Sequence, residues 1–371
     1  MRLRVLIAPD KFKGTLSARK AAQAIARGWH KARPADALEL LPISDGGDGF
    51  GEAMSALLGG KPQRIQTRDA AHRHIKATWW WAAKTKTAII ESAKVIGLAM
   101  LPRGKFHPFQ LDTFGLGAVL QAAHDRGARQ IIVGVGGSAT SDGGFGLARS
   151  LGWRFCDAAG NVLEKWMQLP ELATTHPPLP RLKLRMVVAL DVTNPLLGVR
   201  GATRVYGPQK GMRPEDFATA ERCLRKLASS LKRQLGVDHA AKPGAGAAGG
   251  LGFGLLAFCE AEAKPGFELF ARRARLTERL RRADLVITGE GAIDASTAMG
   301  KGVGQLARLC LNQKIPCIGL GGQVKRSSGV QKMFQVVHSL TDFHPAAVAQ
   351  RHPAKHLAAL AERAAAGWHE T

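Results

Sequence analysis

The chain repeatedly ends a short apolar run on an acidic residue set among glycines and small side chains. Ala8-Pro9-Asp10, Ile43-Ser44-Asp45, Gly136 to Asp142, Leu190-Asp191 and Gly289-Glu290 each follow a run with the length and content of a buried strand. One acidic turn after a strand carries little information, because Asp and Gly are good turn formers. Repetition of the same device is a constraint on the fold. Helix-period segments lie between the runs, so strands alternate with helices. The expected fold class is α/β: two domains with largely parallel sheets. In such sheets ligands bind beyond the carboxyl ends of the strands, which is where the acids and glycines gather.

The apolar runs predict strands over residues 4–8, 38–42, 88–91, 130–135, 186–190, 285–288 and 316–320. Helices are expected over 17–31 with Ser17 as N-cap, over 114–126, and from about Lys301. The residues following Asp45 read as a loop entering a helix. Arg272, Arg273, Arg275, Arg279, Arg281 and Arg282, with Leu276 and Leu280 four apart, describe a basic amphipathic helix. A second has Leu224, Leu227, Leu231 and Leu235 opposite Arg222, Arg225, Lys226, Lys232 and Arg233. Trp79, Trp80 and Trp81 lie in a strand with one or two rings in the core, and His72 and His74 read as exposed strand residues.

A length of 371 residues suggests two domains. The formal net charge of +24 is compatible with nucleic acid, acidic headgroups or an anionic substrate. No RNP motif or zinc finger accompanies the basic faces, and aromatics are only 6%, so specific nucleic-acid binding is not expected. The uncharged stretch from Pro243 to Cys259 is too short and glycine-rich to span a membrane. The apolar run of MRLRVLIAPD is too short for a signal peptide. The five cysteines are odd in number and form no CxxC pair, so a reducing cytoplasm is the expected location.

Ser44-Asp45-Gly46-Gly47 is echoed by Ser141-Asp142-Gly143-Gly144. Each falls between a strand and a helix, placing an Asp beside backbone N–H groups at a helix start. The Asp is read there as a metal ligand or base. No Walker A loop exists: GAIDASTAMGKG has Gly300-Lys301 but lacks the other required positions. The GxGxxG at Gly244, Gly246 and Gly249 follows Pro243 where a strand should end. Gly134, Gly136 and Ala139, with Asp157 further on, would suit a dinucleotide-dependent oxidoreductase. Gly143 and Gly144 would interrupt its helix, so a nucleotide-phosphate loop is the better reading. A non-enzymatic basic protein binding nucleic acid through its arginine faces is the other alternative.

Taken together, the clusters resemble the bacterial type 1 glycerate kinases. The residues concerned are APDKFKG (8–14), SDGGDG (44–49), GGSATSDGG (136–144), DVTNPLLG (191–198), YGPQKG (206–211), Pro243 to Phe258, and DLVITGEG (284–291) through Asp294. They follow family order from residue 4 to about 322. Lys11, Asp112, Ser141 and Ala292 depart from the family's usual residues. The resemblance implies ATP-dependent phosphorylation of D-glycerate with Mg²⁺, 2-phosphoglycerate being favoured over 3-phosphoglycerate. It implies a discontinuous Rossmann-like domain (1–62 and 284–371), a central flavodoxin-like domain (63–283), and an active site in the cleft. Glu290 and Asp294, or Asp142, are the expected metal ligands. Asp191 is the expected base, with Asp45 the second choice, and Asp10 and Lys13 join the catalytic set. Lys210, Arg200, Asn194 and Gln209 are assigned to glycerate. Gly136, Gly137, Ser138, Thr140 and Gly143 are assigned to nucleotide phosphates.

Overall fold

In the computed structural model, which describes residues 2–179, 185–298, 302–325 and 328–368, the chain divides into two compact units. One is Gly46–Gly266; the other joins the chain up to Asp45 to the chain from Phe267. Residues 46–62 and 267–283 therefore fall in the opposite unit from the one expected. The helix Phe50–Leu58 explains the first shift. It packs on the strands His74–Ala82 and Thr87–Glu91 of the central unit, so closely that a Cβ on Gly51 would meet the Trp80 ring at 2.1 Å. The second follows from Leu276–Arg282, which buries Leu276 and Leu280 and packs beside the strand Arg4–Ile7.

Among the described residues, the discontinuous unit holds a five-stranded sheet in the order Val336–Ser339, Cys317–Val324, Leu285–Ile293, Arg4–Ile7, Ala37–Leu40, every pair parallel. The short N-terminal strand aligns Ile7 with Ile287 and Leu40. Past Ile7 the pairing continues: Ala8 N–H donates to Ile287 O and Asp10 N–H to Gly289 O. This delivers Asp10 and Glu290 to the same end of neighbouring strands. Ser17 caps the helix Ala18–Ala32 by accepting from Lys20 N–H, as expected. That helix lies against Pro353–Ala366 so tightly that a Cβ on Gly28 would sit 1.9 Å from Ala358 O.

The central unit has a six-stranded sheet in the order Glu262–Pro265, Arg185–Leu190, Gln130–Gly134, Thr87–Glu91, His74–Ala82, Lys61–Arg68. The first four are parallel and the last two pair antiparallel. The fold is thus mixed α/β with largely parallel sheets. The edge strand Lys61–Arg68 carries mostly polar, exposed side chains, so no apolar run announces it. Trp79 and Trp80 are buried and Trp81 is partly exposed.

Two local expectations differ. The basic segment around residue 275 is not one helix: Arg275 adopts φ +50°, separating Gly266–Arg273 from Leu276–Arg282. His72 sits in a turn at φ +59° before the strand, and its Nε2 lies 2.9 Å from Asp112 Oδ2; His74 is exposed on the strand itself. Gly300-Lys301 lies outside the described residues. No described helix is long and apolar enough to cross a membrane.

The close approach at Gly28 leaves no room for a methyl group. Gly28→Ala should lower unfolding stability by about 1–3 kcal/mol despite the better helix propensity of Ala. A urea titration followed by circular dichroism measures this, and an unchanged midpoint would contradict the packing.

Candidate active site

Three acids in the discontinuous unit share one end of its parallel sheet. Asp10 follows Arg4–Ile7, Asp45 follows Ala37–Leu40, and Glu290 lies in Leu285–Ile293. Asp10 and Glu290 are buried, and Asp45 is partly exposed. Burial pushes the Asp10 carboxyl up to about 7, and the nearby charges of Asp45 and Glu290 push the same way. The Lys11 charge and the Lys11 N–H, 2.6 Å from Asp10 Oδ1, act in the opposite direction. Glu290 Oε1 accepts from Thr297 Oγ1 at 2.8 Å. Asp294 Oδ1 accepts from Ser296 N–H at 2.8 Å, and Asp294 N–H donates to Thr297 Oγ1. Thr297 therefore ties Glu290 to Asp294. Lys13 is exposed on the turn closed by the Phe12–Leu16 bridge.

Mg²⁺ commonly takes one or two carboxylates and fills its remaining positions with water and phosphate oxygens. Among the described residues no three His, Cys, Asp or Glu side chains converge tightly enough to hold an ion alone. The clustered charge around Asp10 is nonetheless what a cation would relieve, and hard carboxylate oxygens are the donors Mg²⁺ prefers. These residues fit the metal.

Asp142, in the central unit, does something else. Its Oδ2 accepts from Thr113 N–H at 3.0 Å, Thr113 Oγ1 at 2.8 Å and Gly146 N–H at 2.9 Å, while Oδ1 accepts from Gly144 N–H at 3.4 Å. The side chain is fully buried. Burial, then the Asp112 charge, push its carboxyl up to about 6. Asp142 is the carboxylate at the start of the helix Phe145–Ser150, with Oδ2 accepting three bonds and Oδ1 one long one. Glu91, which the sequence reading did not single out, makes the same arrangement at Phe50–Leu58. Its oxygens accept from Gly49 N–H at 3.0 Å and Gly51 N–H at 2.9 Å. Both helices start after a left-handed glycine, Gly49 at φ +87° and Gly144 at φ +78°, with no side-chain cap of its own. In each case a carboxylate grips the cap N–H and the N–H two residues later. Glu91 ends a predicted strand, so the pattern that pointed to the other acids also reaches it.

The glycines of the 136–144 loop serve close packing. Gly143 N–H donates to Gly249 O at 3.2 Å, and a Cβ there would lie 2.9 Å from Leu224 Cδ2. Gly143 has no N–H left for a phosphate and is a packing residue. A Cβ on Gly136 would come within 2.6 Å of Gly47 Cα, and one on Gly137 within reach of the Asp48 carboxylate. Ser138 Oγ donates to Ala248 O at 2.9 Å and lies 3.4 Å from Thr140 Oγ1. Lys210 reaches into this loop, its Nζ donating to Thr140 O at 2.5 Å and Ser138 Oγ at 3.4 Å. Burial drives the Lys210 ammonium down to about 7, only partly offset by the Asp142 charge.

Asn194 is held from both sides of its amide. Its Nδ2 donates to Arg200 O at 2.8 Å, and its Oδ1 accepts from Tyr206 OH at 2.7 Å. The Tyr206 hydroxyl is pushed up to about 12 by burial and the Asp191 charge, which places Asp191 in the same neighbourhood. Asp191, Arg200 and Gln209 are exposed.

Residues 5–369 match the model of the glycerate kinase family. The chain belongs to that family. It is similar to the Escherichia coli K12 glycerate 2-kinase, 36% identical with 91% of each chain covered. A Bacillus subtilis glycerate kinase is 34% identical, covering 98% of this chain and 96% of its own. Among solved structures, one assigned as glycerate kinase 2 from Salmonella typhimurium LT2 superposes with a TM-score of 0.84 at 34% identity, over 99% of this chain and 98% of that one. Family membership makes the chain a kinase that phosphorylates glycerate.

The raised Asp10 carboxyl has a pH signature. A folded-state value near 7 against ~3.9 unfolded means the folded state binds more protons between those limits, so this group lowers stability as pH rises from about 4 to 7. Asp10→Asn removes the penalty. The variant should gain stability over the wild type progressively across that window, by on the order of 1–3 kcal/mol at pH 8 in metal-free buffer. Parallel urea titrations at pH 5 and pH 8 measure it; an equal difference at both pH values would contradict the burial.

Proposed function

We propose that the chain transfers the terminal phosphoryl group of ATP to D-glycerate with Mg²⁺, forming 2-phosphoglycerate. The buried acids at adjacent strand ends carry this reading, because a clustered negative charge with Asp10 displaced to about 7 is incomplete without a cation. The name of the Escherichia coli relative, a glycerate 2-kinase, supports the regiochemistry. The absence of a CxxC pair and five free cysteines support a cytoplasmic setting.

Phosphoryl transfer requires charge neutralisation and alignment more than covalent chemistry. Glu290, with Asp10 and Asp45 beside it, would hold Mg²⁺, and Asp294 keeps Glu290 in place through Thr297. When bound, the metal supplies neutralisation of phosphate charge. Lys210 serves an anion: its ammonium is displaced to about 7 by burial, and a glycerate carboxylate or phosphate beside it would restore full protonation. Ser138, Thr140 and the backbone at Gly136 and Gly137 form the loop around that ammonium. Asn194, held by Arg200 O and Tyr206, is preorganised to bind a glycerate hydroxyl, with Arg200 and Gln209 as exposed partners and Lys13 as a further cation. Asp191 accepts the proton of the attacking hydroxyl.

An enzyme-linked assay of ADP release with D-glycerate, followed by phosphorus NMR of the product, tests the reaction. The expected result is glycerate-dependent turnover and a phosphate on O2; a phosphate on O3 would overturn the regiochemistry. Asp191→Asn should lower kcat by roughly 10²–10⁴-fold with the fold intact. A loss below tenfold would remove Asp191 from the base role. Glu290→Gln should raise the Mg²⁺ concentration at half-maximal rate, since an amide is a poorer ligand than a carboxylate. An unchanged half-saturation point would exclude Glu290 from the metal.

A further inference from the structure

After the strand Leu285–Ile293 the chain turns through Asp294 to Thr297, and the turn is closed twice. Thr297 N–H donates to Asp294 O at 3.0 Å, and Asp294 N–H donates to Thr297 Oγ1 at 3.1 Å. Asp294 Oδ1 also accepts from Ser296 N–H at 2.8 Å. Thr297 is fully buried, and the helix Gly302–Asn312 comes so near that Gly304 has no room for a Cβ against Thr297 O. The Thr297 hydroxyl is therefore held in place by backbone contacts. Its direction is fixed as well. A backbone N–H can only donate, so Oγ1 accepts from Asp294, and its one proton goes to Glu290 Oε1 at 2.8 Å.

We infer that Thr297 is a positioning residue that sets which divalent cation the acid cluster accepts, favouring Mg²⁺ over Ca²⁺. This role rests on the proposed reading of Glu290 as a metal ligand. Ca²⁺ is the larger ion, takes more oxygens in flexible geometry, and often binds a carboxylate through both of its oxygens. Mg²⁺ demands a tight octahedron, and the two oxygens of one carboxylate lie too close together to fill neighbouring corners of it. A cation that engages Glu290 through both oxygens has to compete with the Thr297 hydroxyl for Oε1; a cation that engages one oxygen does not. Losing that bond would strand a buried hydroxyl, which is costly. The turn thus sets a penalty against Ca²⁺ that Mg²⁺ escapes. The hydroxyl is what matters here, and the methyl group beside it is not. Serine should therefore serve at this position, and valine, which has the shape of threonine without the donor, should not.

The test titrates the full-length protein with Mn²⁺, without nucleotide or glycerate, counting the unbound ion by electron paramagnetic resonance. Bound Mn²⁺ is then displaced with Mg²⁺ or with Ca²⁺, which gives the affinity of each. Thr297→Val should move the ratio of the two affinities by about fivefold or more in favour of Ca²⁺. Thr297→Ser should keep the wild-type ratio within about twofold. Should the Thr297→Val protein fail to fold, Thr297→Ala, which also lacks the hydroxyl, should show the same change. A purely structural role for Thr297 would weaken both ions together and leave the ratio where it was. That result, or a Thr297→Ser protein that behaves like Thr297→Val, would overturn the selectivity role. Glu290→Gln should weaken Mn²⁺ binding, which tests the metal assignment separately. Equal Mn²⁺ binding by the Glu290→Gln protein, or none by the wild type, would overturn that assignment and the role of Thr297 with it. Binding that depends on Glu290, with an unmoved ratio in Thr297→Val, would overturn the role of Thr297 alone.

Discussion

The electrostatic burden at the end of the five-stranded sheet organises the discontinuous unit. Parallel pairing of Arg4–Ile7 with Leu285–Ile293 carries Asp10 and Glu290 to the same edge, and Asp45 arrives from the next strand. Burial first, and then the charges of Asp45 and Glu290, hold the Asp10 carboxyl up at about 7. Such an arrangement opposes folding, and perturbed titratable groups of this kind cluster at functional sites. The surrounding contacts have the character of a scaffold built to tolerate it. Lys11 N–H and Thr297 Oγ1 satisfy oxygens of the acids without neutralising them. The apolar core beneath, from Ile7 and Ile287 to Trp29 and Leu360, supplies the stability against which that repulsion is set.

The central unit solves the opposite problem. Two of its helix starts would be open anion sites, but Asp142 and Glu91 fill them from within. Among the described residues of this unit a buried cation, Lys210, is held by a carbonyl and a hydroxyl rather than a paired carboxylate. Glycines make this possible. A Cβ on Gly249 would lie 1.9 Å from Thr140 O and 2.7 Å from Lys210 Nζ, and Gly249 also needs φ +71°. Gly249 and Gly143 thus let two backbone loops pack against one another, Gly249 beside the Lys210 ammonium.

The alternation of strands and helices, the parallel sheets and the acidic strand ends were legible because each rests on local pattern: an apolar run, a cap, a turn residue. Residues whose role depends on a distant partner were harder to read. Asp142 and Asp45 share a tetrapeptide, yet the sequence does not show that Thr113, 29 residues away, encloses one of them. Gly143 looked like a phosphate-loop glycine, and its N–H is taken by Gly249. The partner of Asp112, His72, is 40 residues away in the chain. The boundary at residue 46 depends on Gly51 meeting Trp80, a contact no periodicity encodes.

The central claim is that Asp10 titrates near neutrality because it is buried beside two other acids, the arrangement on which the proposed cation site rests. Carbon-13 NMR of the labelled aspartate carboxyls, with Asp10→Asn for assignment, reads that titration directly. Without metal, the Asp10 carboxyl should titrate at about 7, and saturating Mg²⁺ should move it below about 5 by favouring the charged form. An ordinary value of about 4 without metal, or a value near 7 that Mg²⁺ leaves unmoved, would contradict the account.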